Sequence, residues 1–121
     1  MPMRTDRTFS GLLVASLLSL SSIWGCARYD DTALRTVRQN RSDLQICVEQ
    51  AFARNPNTQG EVELAFEIAP DGSVHRFAVL KNETGDLQLA DCIRDKAPLW
   101  KFPPPPRGQP EQFRYRLNVH P

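Results

Sequence analysis

The hydrophobic pattern of the 121-residue chain predicts an α+β fold in the order helix-strand-strand-helix-strand. Two helices lie on one face of a three-stranded sheet, and the other face is wet. Three observations carry this reading. Apolar residues recur at spacings of three, four and seven over 34–54 and again over 87–97. They alternate with polar residues over 61–69, 74–81 and 112–119, as half-buried strands do. Clusters of glycine, proline and asparagine separate these segments.

In the first helix the stripe is Leu34, Val37, Leu44, Cys47, Val48 and Ala51. Two readings are compatible with it: the helix begins near Thr32, or it restarts at Ser42, where Ser42-Asp43-Leu44-Gln45 matches a capping box. Asn55-Pro56-Asn57 ends the helix. Strand one turns Val62, Leu64, Phe66 and Ile68 inward, and Glu61, Glu63, Ala65 and Glu67 outward. Pro70-Asp71-Gly72-Ser73 is a turn in which Gly72 takes positive φ. So short a turn makes strands one and two an antiparallel hairpin. In strand two Phe77 and Val79 share a face, while Val74 is out of phase, so a bulge is expected near His75-Arg76.

Thr84 or Asp86 caps the second helix. Its stripe is Leu89, Cys92, Ile93 and Ala97, and Pro98 stops it. Trp100 and Phe102 then flank Lys101, ahead of a stiff proline run at Pro103–Pro106. As large aromatics they plug the open end of the core; the competing reading is a docking surface beside the prolines. Strand three turns Phe113, Tyr115, Leu117 and Val119 inward and Arg114, Arg116 and Asn118 outward. The helical crossover from strand two places it beside strand one, giving the order two-one-three.

Ahead of the domain, residues 1–25 read as an export signal. Arg4 and Arg7 precede the apolar run Gly11–Leu20, which is short of the roughly 20 residues of a membrane span. Ile23-Trp24-Gly25-Cys26 resembles a bacterial lipobox, with Cys26 as the lipidated residue and Trp24 as a departure from the pattern. An ordinary cut after Ala27 and an uncleaved anchor are the alternatives. Residues 26–33 are a short lipid-anchored tether, and 34–121 form the domain. Ala27 after the cysteine suggests the outer membrane, facing the periplasm.

Three cysteines cannot all pair within one chain. Cys47 and Cys92 lie on the apolar stripes of the two helices and can meet if both helices cover one sheet face. Export exposes them to an oxidising compartment. Cys26 is then the odd one, and its partner is lipid.

The residues now on the page resemble the AgmX/PglI C-terminal domain family, a relative of the C-terminal domain of the TonB energy transducer. The likeness lies in Cys47, Gly60-Glu61-Val62-Glu63-Leu64-Ala65-Phe66-Glu67-Ile68, Asp71-Gly72-Ser73-Val74, Leu89-Ala90-Asp91-Cys92-Ile93 and Trp100-Lys101-Phe102-Pro103. It covers about residues 34–120. The resemblance implies an envelope domain without catalysis and two cysteines able to bond. In the TonB relatives the last strand accepts an extended peptide. The corresponding segment here is 112–119, with Phe113, Arg114, Tyr115, Arg116, Leu117, Asn118 and Val119 as partner-binding residues. Arg114 and Arg116 either guard the edge against aggregation or select an acidic peptide. A TonB transducer has an uncleaved membrane helix and a long proline-rich spacer. This chain carries a cleavable signal and a short tether, which favours an adaptor over an energy transducer. The alternative is a structural part of a gliding-motility or envelope-transport assembly.

The formal net charge is +1, from 15 Lys+Arg and 14 Asp+Glu, which points to neither nucleic acid nor an anionic surface. His75 and His120 have no metal-ligand spacing with Cys, Asp or Glu. The three strand-one glutamates sit on a solvated face, where nothing shifts them toward acid–base work. The expectation is therefore no enzyme, no cofactor and no small-molecule substrate, with an envelope protein or extended peptide as partner.

Overall fold

The computed structural model describes residues 28–121. Residues 1–25, read as an export signal, and Cys26 lie outside the described residues. The elements are α1 (Tyr29–Gln39), α2 (Arg41–Arg54), β1 (Gly60–Ile68), β2 (Val74–Asn82), α3 (Leu87–Lys96) and β3 (Glu111–Val119), with 3-10 turns at Ala97–Leu99 and Pro106–Gly108. The sheet order is β2-β1-β3, and both outer strands run antiparallel to β1. The α+β class and the strand order are as the sequence predicts.

The first helical segment differs from expectation. It is two helices, the second starting at Arg41, close to the restart read at Ser42, but the first begins at Tyr29, inside the residues read as tether. The cause is a stripe of modest hydrophobicity. Tyr29, Ala33 and Val37 fall four apart on one face; Ala33 and Val37 are buried, and Tyr29 packs against the core. The Tyr29 hydroxyl also donates to the Pro103 carbonyl at 2.7 Å. Asp30 and Asp31 in the first turn suit the positive end of the helix dipole. The corner between the helices is Asn40. Its backbone N–H bonds back to the Thr36 and Val37 carbonyls, its side-chain amide donates to Thr36 O, and its own carbonyl accepts from Asp43 N. The capping box expected at Ser42 does not form, because Ser42 already lies within α2 and the turn at Asn40 starts that helix.

β1 behaves as its alternation requires. Val62, Leu64, Phe66 and Ile68 are all at most 2% exposed, so one face of the central strand is wholly core. Phe66 is the hub. Its ring lies 5.0 Å from Phe77, 5.4 Å from Phe102, 5.8 Å from Trp100 and 6.0 Å from Phe113. Trp100 and Phe102 are buried, as a core plug should be, and the docking-surface reading of these two rings is overturned. The Trp100 indole N–H donates to the Asp43 carboxylate at 2.9 Å, which satisfies the one polar atom of the ring.

The β1–β2 turn also holds this segment. Gly72 has φ +90, and a side chain there would run into the Phe102 carbonyl oxygen. Its own carbonyl accepts from Phe102 N at 2.9 Å. Asp71 Oδ1 accepts from both Ser73 N and Ser73 Oγ. Those two bonds, the side-chain one foremost, hold the Asp71 carboxyl below its usual pKa. In β2 the expected bulge is present: Glu67 faces Arg76 and Ile68 faces Val74, so His75 is the extra residue. A second bulge, not anticipated, leaves Leu80 over between Lys81 and Val79.

Asp86 caps α3, accepting from Leu89 N at 3.1 Å, and its other oxygen takes the Arg54 guanidinium at 2.8 Å. The cap thereby joins the end of α2 to the start of α3. Further along, Cys47 and Cys92 form a disulfide, with Cα atoms 5.7 Å apart. α3 has ten residues, too few to be stable alone, so these links and its buried stripe hold it in place. Closing a loop of sequence separation 45 is worth about 4 kcal/mol in the chain-entropy model. Cys92→Ser, or reduction of the wild type, is expected to lower the thermal midpoint by roughly 15 °C or more. Melting curves followed by circular dichroism, with and without reductant, check this; coincident curves would contradict it.

Candidate functional site

The two outer strands are unequal edges. β2 is broken by bulges at His75 and Leu80, which twist an edge away from pairing. β3 keeps unbroken register with β1 over all nine residues, from Ile68↔Glu111 to Gly60↔Val119. It is the regular edge of the sheet.

Which backbone groups β3 leaves free follows from the ladder. Glu61 and Ala69 bond toward the β2 side, through Glu83 N to Glu61 O and Ala69 N to Ser73 O. Backbone groups alternate along a strand. Val62, Leu64, Phe66 and Ile68 therefore bond toward β3, where they face Leu117, Tyr115, Phe113 and Glu111. The N–H and C=O groups of Gln112, Arg114, Arg116 and Asn118 then point away from the sheet, unpaired by any strand among the described residues.

Two hollows flank β3 on its helical side. One, of about 390 Å³, lies between α1 and the first half of the strand and runs over its edge; Asp30, Asp31 and Leu34 face Tyr115 across it, and Glu63, Arg114 and Arg116 border it from the charged face. The other, of about 410 Å³, lies between α2 and the second half; Leu44, Val48 and Phe52 face Tyr115, Leu117 and Val119. Tyr115 lines both. The result is a groove with a strand edge along it, two helices as its far wall and an apolar floor.

The seven residues singled out on β3 divide by parity. Tyr115 and Leu117 are half-buried and line the groove, while Phe113 and Val119 are buried and reach only its floor. Arg114, Arg116 and Asn118 are exposed on the opposite face. Arg114 reaches the Glu63 carboxylate at 3.4 Å, and Arg116 reaches that of Glu61 at 4.0 Å. Leu34, Val48 and Phe52 complete the site from the helices. Their signal in the sequence was the i, i+4 step from Val48 to Phe52.

Groups with shifted ionisation are scattered over the surface. Lys81 is raised, first by its bond to the Glu83 carboxylate, and Glu83 is lowered, first by the Glu61 backbone N–H. Each has a structural partner. Among the described residues no set of three or more His, Cys, Asp or Glu could hold a metal ion, and no helix is long and apolar enough to cross a membrane.

Residues 49–120 match the family described as the Gram-negative bacterial TonB protein C-terminal. The chain belongs to that family. Two solved structures are similar to it. The TonB C-terminal domain of Helicobacter pylori is 22% identical, with 66% of this chain and 78% of that chain covered and a TM-score of 0.43. That of Pseudomonas aeruginosa is 20% identical, with 59% and 74% covered and a TM-score of 0.44. No curated protein sequence matches the chain. The residues matched to the TonB C-terminal family begin within α2, so α1 and Cys47 precede them.

α1 walls the groove, and Tyr29 fastens α1. Burial first, then the nearby Glu111 carboxylate, raises the Tyr29 pKa above its ordinary 10.0. A raised phenol pKa means the fold favours the neutral hydroxyl. That contribution is complete below pH 10 and is lost as the pH climbs through the raised value. Tyr29→Phe is expected to cost about 1 kcal/mol and to remove a tyrosinate transition that lies above pH 10.0. Absorbance titration at high pH, read beside a urea melt of each protein, checks this; an early-titrating Tyr29 would contradict it.

Proposed function

We propose that this TonB-type domain is a non-catalytic, lipid-anchored envelope adaptor that captures an extended segment of a partner protein along the free edge of β3. The carrying observation is the unpaired backbone of Gln112, Arg114, Arg116 and Asn118 beside the groove. An added strand would bond to those groups and drop alternate side chains into the two hollows. Affinity would come from main-chain bonds, and selectivity from what fits against Leu34, Tyr115 and Phe52.

Within the family, the AgmX/PglI branch is the reading favoured here. Its support is the Cys47–Cys92 bond between α2 and α3 and the Trp100-Lys101-Phe102-Pro103 segment packed on the Gly72 turn. A gliding-motility or envelope-transport assembly is the setting that branch suggests. The anchor is Cys26, in the outer membrane with the domain facing the periplasm. Its support is the Ile23-Trp24-Gly25-Cys26 motif after an apolar run, together with the pairing of the other two cysteines.

Arg116→Pro tests the edge. The outward N–H of Arg116 bonds to no strand, so proline there spares the ladder. Leu117→Pro removes a ladder bond and should unfold the domain. The expectation for Arg116→Pro is a thermal midpoint close to wild type and loss of the partner adduct formed by a photo-crosslinker at Gln112 in the native cells. An undiminished adduct would refute strand capture. Palmitate labelling tests the anchor: label is expected on wild type and absent from Cys26→Ser, and equal labelling of the two would refute it.

A further inference from the structure

The docking of α1 leaves very little chain between the proposed lipid and the folded domain. Only Ala27 and Arg28 separate Cys26 from Tyr29. Three residue steps span at most about 11 Å, even fully extended. Tyr29 is pinned in turn, through its bond to Pro103. The end of the domain that carries Tyr29 is therefore held at the bilayer surface.

That end has a definite composition. Phe102 N bonds to Gly72 O, which puts the proline run beside the β1–β2 turn. Pro110 shares a hollow with Ala69, Pro70 and His75, so the start of β3 lies there as well. Pro103, Pro104 and Pro106 are exposed, and so are Lys101 and Arg107. The opposite end holds Gly60, Glu83 and the Arg54–Asp86 pair. From Glu111 to Val119, β3 spans about 26 Å between these ends.

We infer that the end formed by Pro103–Arg107 and the Asp71–Ser73 turn rests on the lipid headgroups of the bilayer that holds Cys26. The inference rests on lipidation of Cys26 and adds an orientation to it. The face carries exposed proline rings, with Lys101 and Arg107 against Asp30, Asp31 and Asp71. That set, two basic residues against three acidic ones, gives no pull toward an anionic surface. The tether holds the face down, and the contact is insensitive to salt. The groove mouth at Asp30 and Leu34 then opens at the bilayer surface. This suits a partner segment that itself emerges from that bilayer.

Fluorescence quenching on vesicles tests the orientation. The full-length lipidated protein is reconstituted into phosphatidylethanolamine vesicles carrying a nitroxide on the headgroup. Single dyes are attached at Pro104→Cys or Gln109→Cys, near the membrane, and at Gln88→Cys, at the far end. Gln109→Cys leaves the proline run intact, should Pro104→Cys disturb it. Quenching is expected to be several-fold stronger at 104 and 109 than at 88, at low and at high salt. A long Gly/Ser spacer inserted between Ala27 and Arg28 should remove the difference. Equal quenching at both ends of a vesicle-bound wild type overturns the orientation alone. Failure of the wild type to float with the vesicles overturns the anchor, and the orientation with it.

Discussion

The packing of four rings around Phe66 is the contact on which the rest of the fold depends. Phe77 comes from β2, Phe113 from β3, and Trp100 and Phe102 from the segment after α3. None of these is close to Phe66 in sequence except through the hairpin. A domain of this size has a small core, so one ring that touches both neighbouring strands and the crossover carries a large share of it. It also fixes register. A slip of one residue in β1 would turn Phe66 outward and bring Glu67 into its place. The Gly72 turn, the Trp100–Asp43 bond and the disulfide all secure segments that close over this ring.

The wet face of the sheet joins the same three strands by charge. Glu61 lies between Lys81 of β2 and Arg116 of β3; Glu63 takes Arg114, and Glu67 takes Arg76. Each pair is exposed and contributes at most about 1 kcal/mol. Their joint effect is to draw both outer strands toward β1, which shows only glutamates on this face to the arginines of β2 and β3 and to Lys81. Arg114 and Arg116 are thus cross-strand partners of β1 before they are anything else. As charges on an open edge they also discourage indiscriminate strand pairing. Selection of the proposed bound segment would then fall to the helical side of β3.

Much of this was legible in the sequence, and the failures share a cause. The three strands, the Gly72 turn, the His75 bulge, the Asp86 cap and the Cys47–Cys92 pairing are written in local patterns or in simple counting. α1 was misplaced because its stripe of Tyr29, Ala33 and Val37 is weakly hydrophobic, and its burial comes from Pro103 and β3, far along the chain. The corner at Asn40 has no proline or glycine to announce it. The Leu80 bulge leaves Leu80 49% exposed, yet a leucine inside a strand pattern reads as core. The groove was invisible for a related reason. β3 reads as an edge from topology, but its walls come from α1 and α2, and only the tertiary packing of α1 sets them opposite Tyr115.

The parity of β3 explains how the proposed recognition edge can coexist with a stable domain. Odd residues use their backbone to bond to β1 and their side chains to fill the core or floor the groove. Even residues leave their backbone free and send their side chains to the charged face. No residue is asked to use its main chain both to hold the sheet and to meet a partner. An added strand would therefore find its hydrogen-bonding groups already extended and aligned by β1, with little ordering cost on this side of the interface. The cost that remains is desolvation of the edge and of the groove. That cost is smallest for a segment whose alternate residues are apolar enough to replace water against Leu34, Phe52 and Tyr115. The same division lets substitutions at even positions alter capture while the core, built from odd positions, stays intact.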